Sequence, residues 1–445
     1  MTIGAHTTAA VGRTNIGRQE EWRMPTEVLR ALVRIKLAAA HVNAEQGVLD
    51  RKYRNAIVKA CEEVLRGDFN EEMFPLKVWQ AGSGTNTNMN VNEVLASMAS
   101  TEELQIHPND HVNLGQSSNC VFPTAMHLAA MESWGELSKS LTYSMTVLTQ
   151  KAEDCGGTVK IGRTHMMDAV PMPVSAELLA WKSILQSARK NIDRIFFTEL
   201  PKIPLGGTAV GTGLNATKDF GYLARVQLMA EWPHLRLDHH DPRTNPFHHI
   251  SHHDALLRLS GELMTLATGC MKMANDLILL ASGPRCGLAE WILPVDAPGS
   301  SIMPGKVNPT QCEMLRMVAA QVIGLHTANS VAMTHSNLQL NTFNPLIIKN
   351  ILNSVELLTD GLRSFTEFCL VGMQLNEKVV AKYVQSSLMV ATSLSPVLGY
   401  DRVAEVVKEA LSQDKDLREV VLEQQLMTPK DFSLIVDIAA MANPH

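Results

Sequence analysis

The sequence predicts an all-α protein built on a bundle of long helices. The first observation is an uninterrupted heptad seam, whose members are Leu256, Leu259, Leu263, Leu266, Cys270, Met273, Leu277 and Leu280. A second seam follows Pro345 and consists of Ile347, Ile351, Val355, Leu358, Leu362, Phe365 and Cys369. The third observation is composition, because 23 Met and only 5% aromatic residues suit helices that pack on helices. Apolar residues at this spacing lie on one helix face, so each seam predicts a long buried contact.

A charge-free segment extends this prediction to a subunit interface. Residues 317–348 contain no Asp, Glu, Lys or Arg, but they are rich in amide, hydroxyl and imidazole groups. Such a segment suits the interior of a large helical assembly, where charges are costly and polar groups can be paired. A second apolar row on the first long helix also requires more than one neighbour, and its members are Leu257, Met264, Met271 and Ile278.

The N-terminal third is expected to alternate between helix and loop. Residues 1–23 are polar and mixed, which predicts an irregular arm. A helical pattern begins at Pro25, which is favoured in a first helical turn. Residues 81–92 and 105–124 interrupt the helical pattern with Gly, Ser, Thr and Asn, and we expect loops there.

Beyond Met373 the apolar pattern loosens, which predicts shorter helices with turns near Pro396 and Pro429. We therefore expect a small C-terminal domain. The predicted division of the chain is an N-terminal domain at 1–116, a central long-helix domain at 117–373 and a small helical domain at 374–445.

Bulk properties exclude several classes of protein. The formal net charge of −6 does not favour a nucleic-acid partner. No run of 18 apolar residues predicts a membrane span, and the N-terminus does not resemble a secretory signal. The seven cysteines are scattered without a CxxC pair, so reduced thiols in a cytoplasmic protein are the simplest interpretation.

Candidate chemistry is concentrated in segments rich in small polar side chains. These segments are Gly82–Thr85, Gln116–Asn119, Gly162–His165 and Gly299–Pro309. Clustered hydroxyls and amides, with one fixed cation, can hold an anion through many hydrogen bonds. Taken singly, each segment could equally be an ordinary turn or a helix cap.

The last segment reads GSSIMPGKVNP and is followed by Glu313; it resembles the signature of the fumarase/aspartase superfamily. GSGTNTNMNVNEV, HPNDHVN, GQSSN, GRTH, GGTAVGTGLN and LASGPR also resemble family segments. The resemblance extends from about residue 4 to the C-terminus. The sequences GSGT and PTQCE look like fumarase, where aspartases tend to have GAGT and PVMPE.

This resemblance implies a homotetrameric lyase with a helical core and a small dicarboxylate substrate. It implies hydration of fumarate to malate by anti addition, as in the tricarboxylic acid cycle, with no cofactor and no catalytic metal. It also implies that each active site is assembled from three subunits. Two alternatives stay open, namely an ammonia- or amine-lyase acting on an aspartate-like substrate and a non-enzymatic scaffold.

The resemblance also assigns roles to residues. Ser300 corresponds to the base, Lys306 and Asn308 to the clamp on the reacting carboxylate, and His165 with Glu313 to the pair that handles the proton of water. The implied substrate contacts are Ser83, Gly84, Thr85, Ser117, Ser118, Asn119, Thr164 and Ser301. The segment His107, Pro108, Asn109 and Asp110 resembles a secondary anion site of the fumarases, although a plain turn is an alternative.

Several positions depart from the family pattern. Cys120 stands where Asp is usual, so that one buried acidic group is lost beside the clamp, and Met166-Met167 replace Leu-Gln. Gln339 stands where fumarases tend to have Glu. These changes leave the identity of the substrate open.

A histidine cluster is a separate candidate. Its members are His239, His240, His248, His249, His252 and His253. On one helix, the pairs four residues apart could seat a transition metal. A surface cluster that binds metal only incidentally is the preferred interpretation.

Overall fold

The computed structural model describes residues 4–17, 20–67, 71–233, 235–237, 245–295 and 301–442. Within these residues the protein is mostly helical with two small sheets, and the predicted all-α class is confirmed. The early helices are α1 (Ala5–Thr14), α2 (Thr26–Glu45), α3 (Arg51–Leu65), α4 (Thr85–Ala99), α5 (Ser118–Asp154), α6 (Val174–Thr198), α7 (Phe220–Glu231) and α8 (Pro246–Ser251). The later helices are α9 (Asp254–Leu280), α10 (Thr310–Thr334), α11 (Asn344–Phe365), α12 (Glu377–Ser386), α13 (Ser395–Leu398), α14 (Tyr400–Gln413), α15 (Leu417–Glu423), α16 (Pro429–Ile435) and α17 (Ile438–Ala442).

The strands form two antiparallel pairs. Strand β1 (Val159–Thr164) pairs with β2 (Met167–Pro173), and the two-residue strand β3 (Trp291–Ile292) pairs with β4 (Gln374–Leu375). The segment Gly162–His165 was expected to be a loop or turn. That expectation is wrong for its first three residues, which lie in β1, whereas His165 lies in the turn.

The expected irregular N-terminal arm is also wrong, since residues 5–14 form α1. Glu93 of α4 caps this helix from a distant position in the sequence. Its carboxylate accepts hydrogen bonds from the backbone N–H groups of His6 and Thr7 and from the Thr7 hydroxyl. A carboxylate at a helix N-terminus satisfies free N–H groups and interacts favourably with the helix dipole.

Both predicted heptad seams are confirmed. Every residue of the first seam is buried on α9, and every residue of the second is buried on α11 or in the π-helical turn Thr366–Leu370. The additional row on α9 is only half-buried in the single chain. Helix α9 is long and apolar enough to cross a membrane, but half of its apolar window is buried inside the protein, as in an ordinary core helix.

The chain divides into two compact units. One contains Met1–Ser140, Ser187–Thr268 and Val318–Asp360, and the other contains Leu141–Gln186, Gly269–Met317 and Gly361–His445. In the second unit, the C-terminal helices enclose a cluster of their own that includes Leu394, Val406, Val420 and Phe432. Pro396 and Pro429 lie in the first turns of short helices rather than in free turns.

Candidate active site

The Gly82–Thr85 segment forms a tightly packed turn at the N-terminus of α4. Gly84 has a φ of +78°, and a Cβ on it would lie 2.2 Å from the ring of buried Phe122. A Cβ on Gly82 would lie 1.6 Å from the carbonyl oxygen of Thr342. Only glycine fits either position, so the backbone is fixed where Ser83 and Thr85 present their hydroxyl groups, 2.7 Å apart.

Residues of α11 support this turn from behind. The Asn344 backbone N–H donates to the Gly82 carbonyl at 2.9 Å. The Asn344 side-chain oxygen lies 2.7 Å from Nε2 of buried His253. His253 therefore reaches the first candidate substrate segment through one intervening residue.

The Ser117–Asn119 segment lies at the N-terminus of α5, where the helix dipole favours an anion. The Asn119 backbone N–H donates to Ser117 Oγ at 3.2 Å, and Asn119 Nδ2 donates to the Ala209 carbonyl at 2.9 Å. Asn88 of α4 donates to Ser118 Oγ at 3.2 Å. That contact links α4, which begins in the first candidate segment, to the second candidate segment.

Thr164 and His165 lie at the tip of the β1–β2 hairpin. His165 and Met166 have φ values of +55° and +66°, respectively, an arrangement that turns a hairpin in two residues. Such values are unfavourable for residues with side chains, and backbone strain of this kind is concentrated at functional sites. Both His165 and Thr164 are exposed in the single chain.

A buried charge cluster holds this hairpin. Glu290 is 1% exposed, and its Oε1 accepts a 2.5 Å hydrogen bond from Arg163. Lys160 Nζ lies 2.7 Å from Glu290 Oε2, at ion-pair distance although not aligned as a hydrogen bond. Lys160 also donates to both oxygens of Glu177, at 3.0 and 2.9 Å. Charges at both ends of β1 are thus neutralised, and their partners fix the strand that precedes His165.

The signature segment is described from Ser301 onward, and Ser300 lies outside the described residues. Ser301 and Lys306 are exposed, and Asn308 is half-buried. Gly305 has a φ of +78°, and a Cβ on it would have no atom within 4 Å, so backbone conformation alone requires glycine there.

Glu313 lies in the first turn of α10 and is exposed. Within the described part of the chain, no hydrogen bond or ion pair joins Glu313 to His165. Their predicted pairing therefore stays a prediction, and one that a single chain does not supply.

The secondary anion segment forms a π-helical turn, Pro108–Val112, with His107 as its cap. His107 Nδ1 accepts from the Asp110 backbone N–H at 3.1 Å and lies 3.0 Å from the Asp110 carboxylate. Its backbone N–H donates to His111, whose ring stacks on Tyr53 at 4.1 Å. Burial lowers the pKa of His111. Asn109 is exposed, and a role in anion binding stays a prediction.

The expected helical spacing of the histidine cluster is wrong in part. Helix α8 ends at Ser251, and His252 has extended backbone angles, so the pairs four residues apart do not share one helix. His239 and His240 lie outside the described residues. Among the residues that are described, no group of three or more His, Cys, Asp or Glu side chains could hold a metal ion.

Sequence reasoning missed Lys36, Glu290 and Asn344, which contact candidate segments from distant positions. No local pattern marks them, although charged Lys36 within the apolar helix RALVRIKLAAAHV was a visible signal. The departures at Met166 and Met167 lie at the hairpin tip, where both side chains are exposed in the single chain, and Gln339 is exposed as well.

Two family models match most of the chain. A family model described as Lyase matches residues 2–324, and one described as Fumarase C C-terminus matches residues 390–443. Fumarate hydratase from Schistosoma mansoni is 46% identical over 99% of this chain and 94% of its own. The chain belongs to the class II fumarase family.

Other relatives agree with this assignment. Fumarate hydratase class II from Thermosynechococcus vestitus is 45% identical over 98% of this chain and 94% of its own. The crystal structure of class II fumarase from Schistosoma mansoni superimposes with a TM-score of 0.93 at 44% identity and covers 100% of this chain and 96% of that one. The expected fumarase/aspartase-like fold and lyase class are therefore confirmed.

Proposed function

We propose that this chain catalyses the reversible hydration of fumarate to L-malate, by anti addition and elimination through an aci-carboxylate carbanion and without a cofactor. The observation that carries the proposal is that a member of the class II fumarase family retains the full set of reactive side chains. That set comprises Ser300, His165, Lys306, Asn308 and Glu313.

The difficult step is removal of a weakly acidic proton next to a carboxylate. The resulting dianion needs preorganised charge, which Lys306 and Asn308 supply at the carboxylate that becomes the aci form. Ser300 takes the proton, and His165 with Glu313 handles the proton of the water that leaves or attacks. The positive φ of Gly305 suits a segment that closes over substrate.

The binding side of the site is supported by two helix N-termini. The N-termini of α4 and α5 carry Ser83–Thr85 and Ser117–Asn119, and the helix dipole at each end favours a bound anion. Thr164 and Ser301 add hydroxyl donors. Neutral donors of this kind hold a dianion without fixing a counter-charge at the reacting carbon.

We propose further that the chain is a homotetramer in which active sites are shared between subunits. In the single chain His165 and Glu313 are both exposed. Large apolar side chains near them in the sequence are exposed as well: Met166 at 60%, Met167 at 70% and Met317 at 68%. Apolar surface of this kind is typical of an interface.

Mixing two inactive variants tests the sharing of sites. Ser300→Ala protein and His165→Asn protein are combined, dissociated and reassembled. If one subunit supplies Ser300 and another His165, random reassembly restores about a quarter of wild-type activity, since each partner is intact in about half of the cases. Absence of any recovery would contradict sharing.

The deciding experiment for the reaction is an absorbance assay for fumarate formation from L-malate and, separately, from L-aspartate. We expect turnover of L-malate. Turnover of L-aspartate alone would replace the proposal with an ammonia-lyase, and turnover of neither would favour a scaffold.

We also propose a cytoplasmic location, where the seven thiols stay reduced, and a role in the tricarboxylic acid cycle.

A further inference from the structure

Lys36 is a buried cation whose hydrogen-bond acceptors are neutral. It lies on α2 and is fully buried. Its Nζ donates to Asn113 Oδ1 at 2.7 Å and to Gln116 Oε1 at 3.0 Å, and both acceptors are side-chain amides. Within the described residues no carboxylate forms an ion pair with it. An isolated ammonium in a protein interior is costly, so such a group is seldom retained without a role.

The titratable groups that face Lys36 are two thiols. Cys61 approaches from α3 and Cys120 from α5, and both are fully buried. Burial raises the pKa of each thiol, so both stay neutral at physiological pH. Burial lowers the pKa of Lys36 to about 7 and outweighs the two cysteines, which act in the opposite direction. Both charge states of Lys36 are therefore accessible near neutral pH.

Lys36 is connected to the candidate substrate segment at the N-terminus of α5. Asn113 Oδ1, which accepts from Lys36, also accepts from Asn88 Nδ2 at 3.3 Å. The side-chain amide of Asn88 in turn donates to Ser118 Oγ at 3.2 Å. The other acceptor of Lys36, Gln116, immediately precedes Ser117. Cys120 contacts the same segment, because its thiol donates to the Ser117 carbonyl at 3.3 Å.

Loss of a proton at Lys36 changes the hydrogen bonds that it donates to Asn113 and Gln116. An ammonium offers three donors, whereas a neutral amine offers two donors and one acceptor. The hydrogen bonds to Asn113 and Gln116 therefore lose their charge assistance and become weaker. The positive potential behind Ser117–Asn119 is lost at the same time. Both changes weaken the binding of a dianion at α5.

We propose that Lys36 is a positioning residue whose protonation controls dicarboxylate affinity through the Asn113–Asn119 segment, and that Cys120 leaves this control open to pH. A carboxylate at position 120 would hold Lys36 in its charged form. The inference rests on the proposed function, which assigns Ser117, Ser118 and Asn119 to substrate.

A matched pair of variants at one position tests the proposal. Cys120→Asp introduces the carboxylate, and Cys120→Asn introduces the neutral side chain of the same shape. Burial disfavours a charge at position 120, and backbone groups of Ser117, Gly206 and Thr208 partly offset that effect, so the same groups can contact a carboxylate placed there. Succinate, a dicarboxylate that cannot lose water, is titrated calorimetrically into each assembled protein at about pH 6.5 and about pH 8.5.

The expected result is a difference in pH response. Wild type and Cys120→Asn should lose about fivefold or more in succinate affinity between the lower and higher pH, since proton and ligand binding are reciprocally coupled. Cys120→Asp should keep its affinity across that range. Exposed Lys59, changed to Met, serves as the surface control and should behave as wild type.

Thermal unfolding against pH reports on Lys36 without substrate. The pKa of Lys36 lies at about 7 in the folded protein, below its ordinary 10.5, so between these values the unfolded chain binds one more proton. Stability from this group therefore rises with pH over that window. The rise should be present in wild type and Cys120→Asn and reduced in Cys120→Asp.

Several results would overturn the inference. One is an equal pH response of all three proteins, and another is the absence of succinate binding at both pH values. Failure of the proposed function is read separately, from the absence of malate and fumarate turnover. If neither malate nor fumarate is turned over but succinate affinity and unfolding respond to pH as expected, the protein binds dicarboxylates without catalysis. Protonation of Lys36 would then still control that binding.

Discussion

Arg163, two residues before His165, donates a 2.5 Å hydrogen bond to the carboxylate of buried Glu290. The same carboxylate lies 2.7 Å from Lys160, at the other end of β1. The strand that presents His165 is therefore held by charges that are almost fully removed from water. Such contacts are rigid, because separating them would leave an uncompensated buried charge.

Glu290→Gln should destabilise the protein and slow the reaction. Removing the negative charge takes away the buried carboxylate that Arg163 contacts and leaves Lys160 with Glu177 alone, a change that costs about 3–5 kcal/mol. Because the hairpin tip is then less well positioned, we expect kcat to fall more than KM rises. Thermal unfolding and steady-state kinetics with L-malate measure the two effects.

Glu405→Gln is the matched control. Glu405 pairs with Arg402 at 2.6 Å, but its side chain is 63% exposed, so the change should alter stability by only about 0.5 kcal/mol. Equal effects of the two substitutions on stability and on kcat would show that Glu290 does not position the hairpin.

Gly84→Ala should disrupt the first candidate substrate segment. Its Cβ would lie 2.2 Å from the buried Phe122 ring, and the φ of +78° is unfavourable for alanine. We expect destabilisation of about 1–3 kcal/mol and a raised KM, because Ser83 and Thr85 move with the turn. Kinetics with L-malate and thermal unfolding report both quantities.

Gly135→Ala provides the comparison within a helix. Nothing lies within 4 Å of a Cβ at this position on α5, so alanine should stabilise the helix by about 0.5–1 kcal/mol. If Gly84→Ala and Gly135→Ala have the same KM, the turn at Gly84 does not contribute to substrate binding.

The long helices could be predicted because their signal is local and periodic. The seams that begin at Leu256 and Ile347 repeat at a spacing that only a helix can bury on one side, and both are buried as expected. The candidate segments were also visible, since Gly, Ser and Asn are concentrated in them. Periodicity therefore predicted the scaffold. The loops expected at 81–92 and 105–124 were wrong in part, because α4 begins at Thr85 and α5 begins at Ser118.

Contacts between distant positions could not be predicted in this way. Helix α1 depends on the carboxylate of Glu93, and its own sequence contains no capping side chain. The β1–β2 turn uses positive φ values at His165 and Met166 rather than at glycine, so the usual hairpin signal is absent. Lys36 and Glu290 become recognisable only when their partners are seen in space.

Ser300→Ala should reduce kcat by about 10²–10⁴-fold while substrate binding persists. The change removes the proposed base, which acts in the transition state rather than in the ground state. Stopped-flow kinetics with L-malate measure kcat, and calorimetry with succinate measures binding. Ser433→Ala, an exposed serine on α16, should retain wild-type kcat. Near-normal kcat in Ser300→Ala would remove Ser300 from the base role.

Acid should destabilise the protein through buried histidines of the first unit. His253 is 1% exposed, and burial, followed by repulsion from His127, lowers its pKa to about 3. Burial likewise lowers the pKa of His249 to about 3. Below the ordinary value of 6.5 the unfolded chain binds protons that the folded chain does not. The contribution of these histidines to the free energy of unfolding is therefore fully present above about pH 6.5 and is lost as the pH falls toward about 3.

His253→Gln isolates one of these groups. Glutamine can still donate to Asn344 Oδ1, the acceptor that His253 Nε2 meets at 2.7 Å, but it binds no proton. Between about pH 6 and pH 5 the loss of unfolding free energy should be smaller than in wild type by about 1.4 kcal/mol per pH unit. Denaturant unfolding at several pH values measures this slope, and exposed His6→Gln should keep the wild-type slope. If His253→Gln and His6→Gln lose stability in parallel with wild type, His253 is protonated in the folded protein and the turn at Gly82 tolerates that charge.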